Sequence, residues 1–192
     1  MMRTLIVSLC LTGVPLTASA QTSDGGFGEI ASTSMAAVAK SMHGIIRRNL
    51  VEAAEKVPAA DYAFKPTPDV RSFGQLVGHL ANGNFYFCAQ AKGETSPSKE
   101  NFERATDKDA ILKGLKDSLT YCDGVYNETT DASFNQAMKV AAPGGINAQA
   151  SRGSVLVFNT AHNNEHYGNI IVYLRLKGHV PPSTARTRPP GR

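Results

Sequence analysis

Apolar residues recur every three to four positions over four long stretches, separated by segments that are polar or rich in proline and glycine. That is the period of amphipathic helices. The first stretch spans about residues 34–57, with Met35, Val38, Met42, Ile45, Ile46, Leu50, Ala53 and Val57 on one face, and Pro58 ends it. Pro58, Pro66 and Pro68 make the segment to Arg71 an extended connection. Ser72 then opens a second helix as its N-cap, and Gln75 three residues on completes a capping box. Phe73, Leu76, Val77, Leu80, Phe87 and Cys88 form its stripe, and Gly93 stops it. A polar connection over residues 94–106 leads to a third helix over about residues 107–128, carrying Ile111, Leu112, Leu115, Leu119, Cys122, Val125 and Tyr126. The pattern fades over residues 129–153, where residues 134–141 are compatible with a short helix. Ser154 caps a fourth helix that runs to Lys177, with Gly178 as its C′ residue and prolines close behind. No segment alternates as a half-buried strand does. The expected architecture is an all-α four-helix bundle with long connections.

Both ends fall outside this pattern. Met1, Met2 and Arg3 give a short positive start, residues 5–16 are mostly apolar, and Ala18-Ser19-Ala20 supplies a small-x-small cleavage site. The expected organisation is a signal peptide over residues 1–20, a bundle domain over residues 21–182, and a disordered Pro/Arg-rich tail over residues 183–192. The mature chain is then exported, periplasmic or secreted. No uninterrupted apolar run reaches the roughly 18–20 residues that a membrane-spanning helix needs. The formal charge of +4, from 20 basic and 16 acidic residues, invites a nucleic-acid reading. Arg3, Arg186, Arg188 and Arg192 account for all of it, which leaves 16 basic against 16 acidic residues in the folding part. Nucleic-acid binding needs a basic face on the fold, so no nucleic-acid partner is expected. Cys88 and Cys122 remain after processing; an exported chain could bridge them, or they could be two buried thiols.

The chemistry lies in the five histidines. His162 and His166 are four apart on the fourth helix and therefore stack on one face. On an ideal wheel Val155, Phe158, Tyr173 and Leu176 lie within about 60° of the pair's bisector, so both imidazoles are expected to point into the bundle. Two inward imidazoles one turn apart are costly unless they share a partner, and a divalent ion is the economical one. His79, at the rim of the second helix's stripe, is the natural third ligand. Three imidazoles suit zinc or nickel and leave a position open for water or substrate. Asn82, Tyr86 and Tyr167 are candidate substrate-lining residues, and Glu165 is a weak candidate base. His43 is read as a rim residue of the first helix, and His179 as a helix-terminal one.

His162-x-x-Glu165-His166 also fits the pattern of inverted zinc peptidases. Those enzymes take a further glutamate ligand downstream, and Glu165 is the last acidic residue in this sequence, so the match is not pursued. A second pattern covers nearly the whole mature chain. Val57-Pro58, then Phe64-Lys65-Pro66, then Ser72 seven residues before His79-Leu80, resembles the approach to the second helix of the DinB/YfiT-like family. The block from His162 and His166-Tyr167-Gly168-Asn169 through Tyr173-Leu174-Arg175-Leu176-Lys177-Gly178 to Pro181-Pro182 is similar to that family's last helix. Where the family commonly has a basic residue, glycine and glutamine after the last histidine, this chain has Tyr167, Gly168 and Asn169. The resemblance implies a four-helix bundle that binds a divalent metal through His79, His162 and His166. It also implies thiol-dependent transferase or isomerase chemistry on a small-molecule substrate, and a homodimer is compatible with such a bundle. Metal-dependent hydrolysis and a non-catalytic exported metal-binding module are the alternatives.

Overall fold

The computed structural model describes residues 30–142 and 146–187, so the expected signal peptide lies outside the described residues. In chain order it contains α1 (Met35–Lys56), α2 (Phe73–Lys92), α3 (Lys108–Glu128), the short α4 (Asp131–Phe134), β1 (Ala137–Ala142), β2 (Ile146–Ser151), α5 (Arg152–Leu176) and the short α6 (Pro182–Thr187). α1, α2, α3 and α5 are the four long helices of the expected bundle. Their starts follow from capping chemistry. Ser34 and Asp107 accept the Ala37 and Ala110 amides, and Ser72 and Gln75 close the capping box reciprocally.

Leu50, Leu80, Leu115, Leu119, Ile170 and Leu174 are each at most 1% exposed and fill the centre of the bundle. Burying a side chain of this size contributes about 1.5–3 kcal/mol. A second apolar cluster around Val125, Tyr126, Phe134 and Leu156 occupies the other end, and there a Cys88–Cys122 disulfide ties α2 to α3. A polar layer also runs through the core. Asn163 Nδ2 donates to Asn84 Oδ1 at 2.9 Å, Asn159 Nδ2 to the Tyr126 hydroxyl at 3.4 Å, and that hydroxyl to the Leu156 carbonyl at 2.7 Å. These pairings matter because a buried polar group left unpaired costs about 1–3 kcal/mol.

Four expectations change. Residues 134–141 are not one helix: α4 ends at Phe134, and β1 pairs antiparallel with β2, Met138 opposite Ala150 and Val140 opposite Ala148. The alanine-rich ribbon offers too little apolar alternation to announce itself. α5 begins three residues earlier than expected, because Ser151, extended at the end of β2, accepts the Ser154 amide. On α1 the buried positions run through Ala36, Ala39, His43, Ile46, Leu50 and Ala53, with Met35 and Met42 exposed. His43 is therefore in the core and not at the rim. Its Nε2 pairs with Asp123 Oδ1 at 2.9 Å and its ring stacks on Tyr126 at 4.1 Å. Finally, residues 182–187 form α6 where a disordered tail was expected to begin. Pro182 is buried, Ser183 hydrogen-bonds the Tyr167 hydroxyl, and Arg186 pairs with Glu52.

Candidate metal centre

The side-by-side packing of α2 and α5 builds the site. His79 lies two turns into α2, and His162 and His166 are one turn apart on α5. One nitrogen from each comes within 4.8 Å of the other two, and Nε2 of His79 is 3.2 Å from Nε2 of His162. The three rings fan around a common point, with centroids 4.6–5.1 Å apart. The structure thus assembles the trio that helix spacing singles out, but it corrects the direction. Val155 and Tyr173 are buried as expected, but Phe158 and Leu176, expected on the same face, are 56% and 59% exposed, whereas Asn159, Thr160 and Asn163 are buried. The true core face of α5 includes this polar layer and has His166 at its edge, with His162 turned further from it. The three histidines occupy the seam between α2 and α5, His166 buried and the other two half-buried.

Two features that the helix pattern did not reveal hold the rings. Glu103 comes from a short 3-10 turn, Phe102–Arg104, in a connection with no periodicity to read. That turn is pressed onto α2 at Gly78, where an added Cβ would stand 2.2 Å from the Phe102 carbonyl oxygen. Asn82 secures it from below, its Oδ1 accepting the Phe102 amide at 3.0 Å. Glu103 Oε2 thereby reaches His79 Nδ1 at 2.9 Å, while Oε1 accepts from Arg71 Nε at 2.7 Å. Burial alone would raise the Glu103 pKa, but the Arg71 and His79 hydrogen bonds outweigh it and bring the pKa below the usual carboxylate value. An ionised carboxylate only accepts, so His79 Nδ1 is the donor and its Nε2 turns toward the centre. The second feature is Gly83, one turn beyond His79. The His162 ring lies against it, with Cε1 2.8 Å from where a Cβ would be.

Electrostatically the pair on α5 is kept as free base. Burial, then the neighbouring His166 and His79 rings, lower the His162 pKa to about 4, and burial followed by His79 lowers that of His166. Neutral imidazole is the form that binds metal. The donor set fits a divalent ion. Two imidazole nitrogens about 2.0–2.1 Å from one tetrahedral zinc stand about 3.3 Å apart, close to the 3.2 Å between His79 and His162. Nδ1 of His166 is buried and has no hydrogen-bond partner among the described residues. Beside His166 the centre opens into a cavity of about 630 Å³, lined in part by Lys65, Arg71, Gln75, Asn169 and Tyr173.

The remaining expected site residues have other tasks. Asn82 supports the Glu103 turn, and the Tyr86 hydroxyl donates to the Ala141 carbonyl of β1. The Tyr167 hydroxyl, on a buried side chain, donates to Ser183 Oγ at 3.0 Å. Glu165 is exposed.

The family model described as the DinB superfamily matches residues 45–170, a stretch that includes all three histidines and Glu103. The chain belongs to the DinB superfamily. Among its relatives, the uncharacterized protein YjoA of Bacillus subtilis (strain 168) is 25% identical over 141 residues, covering 72% of this chain and 88% of YjoA. The solved structure of YjoA superposes with a TM-score of 0.59 at 23% identity, covering 74% of this chain and 93% of that one. A DinB-like protein from Bacillus cereus ATCC 10987 gives a TM-score of 0.58 at 14% identity over 71% of this chain and 89% of its own. A mycothiol-dependent maleylpyruvate isomerase gives 0.54 at 14% identity, covering 69% of this chain and 59% of that chain. At these identities the solved structures speak for the DinB-like helical fold.

Proposed function

We propose that this DinB-superfamily chain is an exported metal-dependent enzyme. His79, His162 and His166 hold a divalent ion, zinc or nickel, and the reaction is a transfer or rearrangement involving a thiol. The observation that carries this reading is the convergence of three imidazoles with Glu103 set behind His79, the carboxylate–histidine arrangement that orients metal ligands. An ion held by these three neutral imidazoles would keep a coordination position open and would favour the thiolate form of a thiol bound there. The chain's own residues do the rest. Glu103 fixes the His79 tautomer, burial keeps His162 and His166 unprotonated, and Arg71, Lys65 and Asn169 offer polar contacts beside His166. Likeness to a mycothiol-dependent isomerase supports thiol chemistry over hydrolysis. Glu103, the carboxylate that touches the trio, is engaged by both Arg71 and His79 and is therefore assigned no part as a base. The Cys88–Cys122 bridge supports export, because disulfides persist in oxidising compartments.

Metal analysis of the purified wild type beside His79→Ala and His162→Ala tests the site. One equivalent in the wild type and its loss in both variants are expected; stoichiometric metal in both variants would overturn the assignment. A conjugation assay with cysteine or glutathione and a small electrophile, run beside an ester and amide panel, separates the chemistries. Turnover of the panel alone would replace thiol transfer by hydrolysis.

A further inference from the structure

The seam that carries the three histidines continues past them. On α5 Phe158 precedes His162 by one turn, about 6 Å, and Ser154 precedes it by two, about 12 Å. On α2 Phe87 and Gln90 follow Gly83 by one and two turns. The Phe87 ring lies 5.4 Å from the His162 ring and 5.2 Å from that of Phe158, edge to face in both cases. Beyond Phe87 lies a cavity of about 260 Å³, bounded by Val155 and Phe158 of α5, Phe87 and Gln90 of α2, and Val140 and Ala150 of the β-ribbon. The ribbon is held over it from α2. Gln90 Oε1 accepts the Ala141 amide at 2.8 Å and its Nε2 donates to the Ala141 carbonyl at 2.6 Å, in the manner of a strand neighbour, and Tyr86 donates to the same carbonyl. Gln90 thus spends its polar group on the ribbon, and the walls that remain are almost wholly carbon.

We propose that this groove is a subsite for the apolar end of the substrate, an unbranched alkyl or aromatic group whose polar, reacting end faces His79, His162 and His166. The inference rests on the metal-centre reading, and three observations carry it. Phe158 is more than half exposed, and an apolar surface beside a polar cluster is the usual composition of a small-molecule site. The groove adjoins the histidines, since the Phe87 ring that walls it stands 5.4 Å from the His162 ring. Its volume falls below the roughly 300–1,000 Å³ of a complete ligand pocket, which suits part of a small molecule and is too little for a docked helix.

The test is a binding series with propanoate, pentanoate and heptanoate as probes, followed calorimetrically on the full mature chain with and without one equivalent of zinc, and on Phe158→Ala, Phe158→Leu and Val140→Asp. Affinity of the wild type is expected to rise up to about fourfold per methylene, the limit set by full burial of each CH₂. The rise should flatten in Phe158→Ala and Val140→Asp and persist in Phe158→Leu, while zinc stoichiometry stays at the wild-type value in all three and melting temperature and circular dichroism do so in the two variants of the exposed Phe158. A wild-type affinity that is independent of chain length overturns the subsite, as does an equal rise in Phe158→Ala. Concentration-dependent self-association that Phe158→Ala abolishes, with no chain-length effect, would overturn it in favour of a second copy on the groove. Chain-length dependence without zinc binding would leave the subsite standing and remove the metal centre alone, so the two failures are distinguishable.

Discussion

Gly83→Ala should separate the metal centre from the fold, because the substitution acts on the two with opposite sign. Gly83 lies inside α2 directly against the His162 imidazole, where an added Cβ would stand 2.8 Å from Cε1 and 3.3 Å from Nδ1. Ordinary van der Waals contact begins at 3.4 Å, so the ring must retreat by about 0.6 Å. Metal–ligand distances tolerate about 0.2 Å. The displacement is therefore several times what a bound ion allows, and zinc affinity should fall by tenfold or more, as it does when ligand support is lost elsewhere. The helix itself gains, since alanine is favoured over glycine in a helix interior by up to about 1 kcal/mol. In a chain of this length that corresponds to roughly 2–4 °C in melting temperature. Calorimetric melting of the metal-free protein should show the variant at or slightly above the wild type. Competition against a chromogenic chelator should show the affinity loss. A variant that binds zinc as tightly as the wild type would refute the reasoning that Gly83 sets the His162 position. One that melts far below it would show that Gly83 serves the fold.

Glu103→Ala should weaken zinc binding about 10–100-fold by releasing His79, with a small effect on melting because the Arg71–Glu103 pair it breaks is partly exposed. Glu103→Gln, whose amide oxygen can still accept from His79, should lose less in the same chelator competition; equal affinities in all three proteins would count against the carboxylate's role. Replacing Cys88 and Cys122 by alanine opens a loop closed across 34 residues, worth about 4 kcal/mol on chain-entropy grounds. The urea midpoint of the double variant should fall accordingly, and an unchanged midpoint would argue against a bridge in the mature protein. Metal-free protein should also lose stability on mild acidification. Burial lowers the pKa of His43, and burial with neighbouring imidazoles lowers that of His162 to about 4, both from 6.5. The unfolded chain therefore takes up protons first. Stability is complete above about pH 6.5 and declines as the pH falls toward 4. Urea midpoints that stay level over that interval would contradict the sign.

How far the sequence could be read depended on which residues decide the packing. Where large aliphatics carry the pattern, as in α2 from Phe73 to Leu80 and α3 from Ile111 to Leu119, periodicity and capping residues locate the helix and its buried face together. On α5 the face is set by Asn159, Thr160 and Asn163, which a hydropathy wheel scores as outward although their hydrogen bonds to Asn84 and Tyr126 make them inward. The histidine trio was still legible, because i, i+4 spacing holds whichever way the helix is turned. Its orientation was not, and the exposed Phe158 was misread along with it. His43 was misplaced for the same reason: Met35 and Met42 outweigh Ala36 and Ala39 on a hydropathy scale, yet the small residues let α1 approach its neighbours. Glu103 left no trace in any period. Its position depends on a carbonyl that only a glycine at residue 78 can accommodate, 25 residues away in sequence. A ligand pair can therefore be found from one helix's spacing, whereas the residues that tune it come from connections whose placement is decided by close packing between distant segments.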